Sequence, residues 1–110
     1  MSEFAFLFRG RDTDASVAQM QKTMETWSTW FEELDAKGHL KDKGNPLQAR
    51  GKIVSGKNKV VSDGPFAETK DLIGGYVIID AESLSHAAEL AKGCPIYTVG
   101  GSVEIRPVEK

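Results

Sequence analysis

Asp63, Glu68 and Lys70 fall within one short run, Asp63-Gly64-Pro65-Phe66-Ala67-Glu68-Thr69-Lys70. Carboxylates beside a cation are the least equipment for abstracting a proton and steadying the charge that follows. The same run has a structural reading. Asp63 can accept hydrogen bonds from backbone N–H groups beyond it, Gly64 permits positive φ, Pro65 fixes the next φ, and Phe66 anchors the loop. Glu68 and Lys70 can pair with each other, or with Arg106 and Glu104, as a rim or interface ion-pair network. Such pairs contribute under about 1 kcal/mol each when exposed. Read as ligand groups instead, Lys70 or Arg106 would clamp a carboxylate or phosphate. The planar guanidinium makes Arg106 the better bidentate donor.

Trp27, Trp30 and Phe31 stand close together and read either as core or as the wall of a cavity. A tryptophan lining a cavity favours a flat, apolar ligand and offers its indole N–H as one polar contact. His39 follows Gly38 at a helix end, where it can interact with the helix C-terminus. Its titration range also suits acid–base work. His86 is expected to face solvent. The two histidines are far apart, with no HxxxH or CxxC spacing, so no metal is expected. Cys94 reads as a small buried apolar residue or as a thiol at a cavity mouth. No phosphate-binding glycine loop, nucleophile elbow or dinucleotide fingerprint appears, so no cofactor is expected.

The chain that carries these groups has 110 residues, the size of one domain, and is read as a single domain over 1–110. Its net charge is -2, with both signs interspersed, which argues against direct nucleic-acid binding. One cysteine cannot form an internal disulfide, and a reducing cytoplasmic setting follows as the default. The start lacks a basic, then apolar, leader pattern, and no apolar run reaches bilayer-spanning length, so no membrane partner is expected.

Residues 4–8 (Phe-Ala-Phe-Leu-Phe) are apolar on both faces when extended, as a central strand requires. Ser16 and Gln19 fit a capping box, with Asp14 as a competing cap. Val17, Met20, Met24, Trp27, Phe31 and Leu34 then recur at helical spacing, with Trp30 beside the stripe and Gly38 as left-handed cap. Residues 39–50 are polar and broken by Gly44, Asn45 and Pro46, and read as a loop. Residues 52–55 and 59–62 flank Gly56-Lys57-Asn58 as a hairpin. Residues 72–79 form a strand whose paired glycines, Gly74 and Gly75, signal a bulge or close backbone approach. Ser83 caps a second helix with Leu84, Ala87, Ala88 and Ala91 inward, stopped by Gly93 and Pro95. Residues 102–108 are the last strand, and Pro107 places its end near a sheet edge.

The order β-α-β-β-β-α-β matches an α+β, ferredoxin-like split βαβ arrangement: an antiparallel sheet with two helices on one face. That arrangement leaves the other sheet face open, while the first strand is apolar on both sides. An open apolar face is a surface for self-association, and a homodimer packed sheet to sheet about a two-fold axis is expected.

Val61-Ser62-Asp63-Gly64-Pro65-Phe66-Ala67-Glu68-Thr69-Lys70, Gly74-Gly75-Tyr76 and Gly101-Ser102-Val103-Glu104-Ile105-Arg106-Pro107 together resemble the YCII-related family, in its DGPF-containing branch. The resemblance covers nearly the whole chain. It implies a dimeric α+β barrel with a small cavity between sheet and helices in each subunit. It also implies a His–Asp pair proposed for members of the wider family, and relatives that act on small aromatic ring compounds. Here Trp27 stands in the place of that histidine and Cys94 in that of the acid, so the pair's chemistry does not carry over. Members of this branch are often encoded beside extracytoplasmic sigma factors.

Three roles follow as expectations. The first is binding of a small organic molecule in the cavity. The second is a lyase or isomerase acting on a small ring compound, with Asp63 or Glu68 as base and Lys70 or Arg106 as electrostatic partner. The third is a regulatory module associated with a sigma factor. Where the side chains of 63–70 point separates them: into a cavity, across a dimer, or to solvent.

Overall fold

The computed structural model describes residues 1–10, 17–64 and 71–109, and for 17–20 the backbone alone. The expected caps Asp14 and Ser16, the side chains of Val17 and Met20, and Pro65, Phe66, Glu68 and Lys70 lie outside the described residues. The described elements are β1 (Ser2–Arg9), α1 (Val17–Ala36), β2 (Leu40–Pro46), β3 (Gly51–Ser55), β4 (Val60–Gly64), β5 (Ile73–Ala81), α2 (Leu84–Ala91), a 3₁₀ turn (Pro95–Val99) and β6 (Ser102–Pro107).

β1, β2, β5 and β6 form one antiparallel sheet in the order β2-β5-β1-β6, the split βαβ topology. β1 is central. Phe4, Phe6 and Phe8 lie opposite Ile79, Val77 and Gly75 on one side and Pro107, Ile105 and Val103 on the other. Directly opposed residues share a sheet face. This face packs against Trp30 and Leu34 of α1 and Ala87 and Ala91 of α2. Phe6, Val77 and Ile79 are fully buried, each side chain contributing about 2 kcal/mol or more by leaving water.

Trp30, placed beside the apolar stripe by spacing alone, lies at its centre and is 5% exposed, whereas Met24 is 69% exposed. The Trp30 ring lies parallel to Phe6 at 6.3 Å and edge-on to Phe8 at 6.0 Å. Gly93 makes room for it: a Cβ there would stand 2.9 Å from the indole nitrogen. In α2, Leu84 is half exposed and Ala87 and Ala91 carry the buried face. Ser83 caps that helix, its hydroxyl accepting from the His86 N–H at 3.1 Å.

The end of α1 closes as a Schellman turn. Gly38 takes φ +78°, its N–H donates to the Asp35 carbonyl, and the His39 N–H donates to that of Leu34. Gly74 is the extra residue of a β-bulge, since Phe8 faces Gly75 while Arg9 faces Ile73.

The reading of residues 39–50 as a loop is corrected by β2. This strand pairs with β5 through Leu40, Asp42, Asn45 and Pro46, with two register breaks. It is a polar edge strand bent at Gly44, so neither apolar alternation nor continuous pairing marks it in the sequence. β3 and β4 form a separate two-stranded sheet, and Val54, Val60 and Val61 on it are exposed. No described helix is long and apolar enough to cross a membrane.

The second face of the main sheet carries no helix. By register it presents Ala5, Leu7, Tyr76 and Ile78 at its centre, bordered by Glu3, Asp80, Glu104 and Arg106.

Candidate functional site

On the helix-covered face, a cleft of about 510 Å³ opens between α1, the end of β2 and the 3₁₀ turn. Its floor is Phe8, Gly75 and Val77 of the sheet. Trp27 and Phe31 of α1 form one wall and Lys43 to Leu47 the other. Ile96, Thr98 and Val99 close the far side. A site of this size suits a ligand of one or two rings.

The aromatic wall is fixed from beneath. Trp27 meets Phe8 edge-on at 4.9 Å and 86°, and lies 5.9 Å from Trp30 and 5.8 Å from Phe31. Trp27 is half-buried and Trp30 is fully covered. The i, i+3 and i, i+4 spacing of Trp27, Trp30 and Phe31 sets them on one helix face, and the sheet divides them into support and lining. Met24, Leu47 and Val99 leave an apolar rim, each being substantially exposed.

The β2 wall is fixed by backbone geometry. Gly44 takes φ +61°, and a Cβ there would overlap the Tyr76 carbonyl oxygen. The Gly44 N–H donates to the Asp42 carboxylate at 2.9 Å, closing the bend. Gly75 permits the same close approach from β5: a Cβ there would stand 3.2 Å from the Asn45 carbonyl oxygen. The Leu47 N–H then donates to the Gly74 carbonyl at 2.8 Å. The sheet therefore presents Lys43 at the cleft through a rigid bend.

The structure brings few of the residues singled out by sequence to this cleft. Trp27 lines it. Asp63 lies on β4, opposite Lys52, with its carboxylate 2.7 Å from the lysine Nζ and 85% exposed. Arg106 lies on edge strand β6 and reaches Glu104 at 3.4 Å. Arg9 holds the same Glu104 at 2.8 Å and also donates to the Asp71 carbonyl. The hydrogen bond from Arg9, ahead of that from Arg106, holds the Glu104 carboxyl below its ordinary pKa.

His39 stands at the other end of the sheet. Its Nδ1 lies 2.9 Å from the Asp80 carbonyl oxygen. A carbonyl only accepts, so Nδ1 carries the proton and donates. Its own carbonyl accepts from the Asp80 N–H at 2.7 Å, pinning the end of α1 to β5. His86, expected in solvent, is half-buried with its ring 5.1 Å from that of His39. The His86 Nδ1 accepts from the Glu82 N–H. Among the described residues no group of three or more His, Cys, Asp or Glu is placed to hold a metal.

Cys94 is buried behind the 3₁₀ turn, and loss of hydration pushes its thiol pKa up to about 12. Among the described lining residues, Lys43 is the one whose side chain is charged at neutral pH, and none is a carboxylate or histidine. Lys43 was missed by sequence because it sits in a segment read as loop. Its only signal was its place beside Gly44, Asn45 and Pro46.

The YCII-related domain model matches residues 4–110. An uncharacterized protein of Rhizobium meliloti (strain 1021) is 42% identical over 50 residues, a match covering 44% of this chain and 40% of that protein. The chain thus matches about two fifths of that curated relative's length. Among solved structures, the fold is similar to 5-chloro-2-hydroxyhydroquinone dehydrochlorinase from Burkholderia phenoliruptrix AC1100, in complex with 2,5-dihydroxybenzoquinone. That likeness has a TM-score of 0.50 at 16% identity and covers 97% of this chain and 93% of the other. It is a likeness of fold. With the family model spanning nearly all of the sequence, the chain belongs to the YCII-related family.

Proposed function

We propose that this protein binds a small, flat ring compound in the cleft between α1 and β2, with Trp27 as the principal contact. The observation that carries this reading is the wall of Trp27 and Phe31 over Phe8, held in place by the buried Trp30. Aromatic faces and edges set in place before binding cost a planar ligand little reorganisation. A fold neighbour that holds 2,5-dihydroxybenzoquinone supports the same ligand class. Binding is put ahead of a lyase or isomerase role because Asp63, one of the two acids named for that chemistry, pairs with Lys52 on an exposed hairpin and is not among the described lining residues, while Glu68 lies outside the described residues.

The active unit in this reading is a homodimer. Ala5, Leu7, Tyr76 and Ile78 form the apolar centre of the helix-free sheet face, and its border carries both charge signs, as a self-complementary two-fold contact requires. Sedimentation at micromolar concentration should give twice the chain mass, and a monomer there would remove this part of the proposal.

The binding claim is tested by tryptophan fluorescence and thermal shift across a panel of hydroxylated benzoquinones and hydroxybenzoates. Saturable quenching with a raised melting temperature is expected for the wild type, and its loss in Trp27→Leu. An unresponsive wild type across the panel at millimolar concentration would overturn the reading.

A further inference from the structure

We infer that the cleft selects anionic ring compounds over neutral ones of the same shape, and that Lys43 is the residue that makes the selection. The inference rests on the binding role proposed for the cleft and names its ligand class.

Lys43 is the cleft's one ammonium group among the described lining residues, which are otherwise predominantly apolar. It makes no ion pair with any described residue, whereas Arg9, Lys52, Lys92 and Arg106 all do. Its neighbour Asp42 is no counter-charge to it inside the cleft. That carboxylate is taken up by the Gly44 N–H at 2.9 Å, and Asp42 is not among the described lining residues. The whole chain is acidic by two charges, yet the described lining carries no carboxylate. Among the described lining residues the one formal charge at neutral pH is therefore positive, against the sign of the chain's net charge.

The bend at Gly44 keeps the Lys43 backbone from drifting with the strand edge, because Gly44 is packed against the Tyr76 carbonyl. A ring stacked in the cleft near Trp27 would direct an acidic substituent toward the β2 wall. A carboxylate or an ionised ring hydroxyl would then lie near an ammonium with apolar surface on the other sides. Removing water from that pair strengthens it relative to a fully exposed one.

The test uses 4-hydroxybenzoate and 4-hydroxybenzamide, which match in shape and differ in charge at neutral pH. Both are titrated into the 110-residue chain, wild type and Lys43→Met, with tryptophan quenching as readout. Methionine keeps most of the side chain's length and removes its charge.

The wild type should bind the anion about fivefold more tightly than the amide, in line with a partly screened ion pair. The preference should shrink as salt is raised from about 0.02 M to 0.5 M, as screening requires. Lys43→Met should bind both compounds alike, near the wild-type affinity for the amide. Equal binding of the two compounds by the wild type would overturn the inference and leave the binding role standing, as would a preference that survives Lys43→Met. Binding of neither compound, nor of any in the wider panel, would overturn the binding role itself and the inference with it. Circular dichroism of Lys43→Met should be unchanged, since the side chain is exposed.

Discussion

Replacing Gly44 by alanine should damage this protein far more than replacing Gly38, although both glycines have positive φ. Gly38 takes φ +78° and a Cβ there meets nothing within 4 Å. Gly38→Ala therefore reports the backbone term alone, about 1–2 kcal/mol. Gly44 takes φ +61°, and its Cβ would overlap the Tyr76 carbonyl oxygen, with the Tyr76 carbonyl carbon at 2.8 Å and the ring at 3.0 Å. The neighbour is backbone in the middle of β5 and has no rotamer to change. Relief requires β2 to move off β5, losing one or two ladder hydrogen bonds at about 1 kcal/mol each. The total for Gly44→Ala is about 2–4 kcal/mol. At roughly 4 °C per kcal/mol for a domain of this size, Tm should fall by about 8–16 °C, against about 4–8 °C for Gly38→Ala. Urea denaturation followed by tryptophan fluorescence, at one fixed protein concentration, gives both values. Gly44→Ala costing no more than Gly38→Ala, within about 0.5 kcal/mol, would refute the claim that the β2 bend is locked against β5.

Four further outcomes follow from the same geometry. Trp30→Ala should cost about 3–5 kcal/mol by urea denaturation, and Trp27→Ala clearly less, because only Trp30 is fully covered. Cys94, with its thiol pKa pushed up to about 12, should resist alkylation at pH 8 until the protein is unfolded. Its folded pKa is raised, so stability held below the ordinary thiol value should decline as pH climbs from about 9 toward 12. Glu104 has the opposite sign: its folded pKa is lowered by Arg9, so its contribution holds above the ordinary carboxylate range and is lost as pH falls through the lowered value. Acid titration of stability should flatten in Arg9→Met. Asp63→Asn should change stability by under about 1 kcal/mol and leave ligand titrations unchanged, since its carboxylate meets an exposed Lys52.

Those contrasts also mark what the sequence could and could not carry. The alternating phenylalanines of β1, the Gly38 cap, the Ser83 cap and the Gly74–Gly75 bulge each rest on a local rule. Each of those four features was legible residue by residue. Trp27 was legible as a cavity candidate through its type and its helix. β2 was not, because an edge strand bent at a left-handed glycine shows neither alternation nor apolarity; its partner is the only reason it is a strand. Lys43 was hidden with it. The nearness of His39 and His86 was hidden for a different reason: they meet because the turn after α1 is bonded to Asp80 and α2 starts just beyond it, a contact set by tertiary structure. Asp63 shows the converse. A dense run of polar residues drew attention in the sequence, and its first member proved to be a cross-strand partner on an exposed hairpin.

The central claim, that Trp27 and its neighbours form a ring-binding cleft, is tested most directly by the two indole N–H resonances. The chain has two tryptophans, one lining the cleft and one sealed beneath it. In a 15N-labelled sample titrated with 2,5-dihydroxybenzoquinone and then 4-hydroxybenzoate, the Trp27 indole signal should move saturably with added ligand. The Trp30 signal should stay nearly fixed. A Trp27 signal that stays in place through millimolar additions of both compounds would contradict the account.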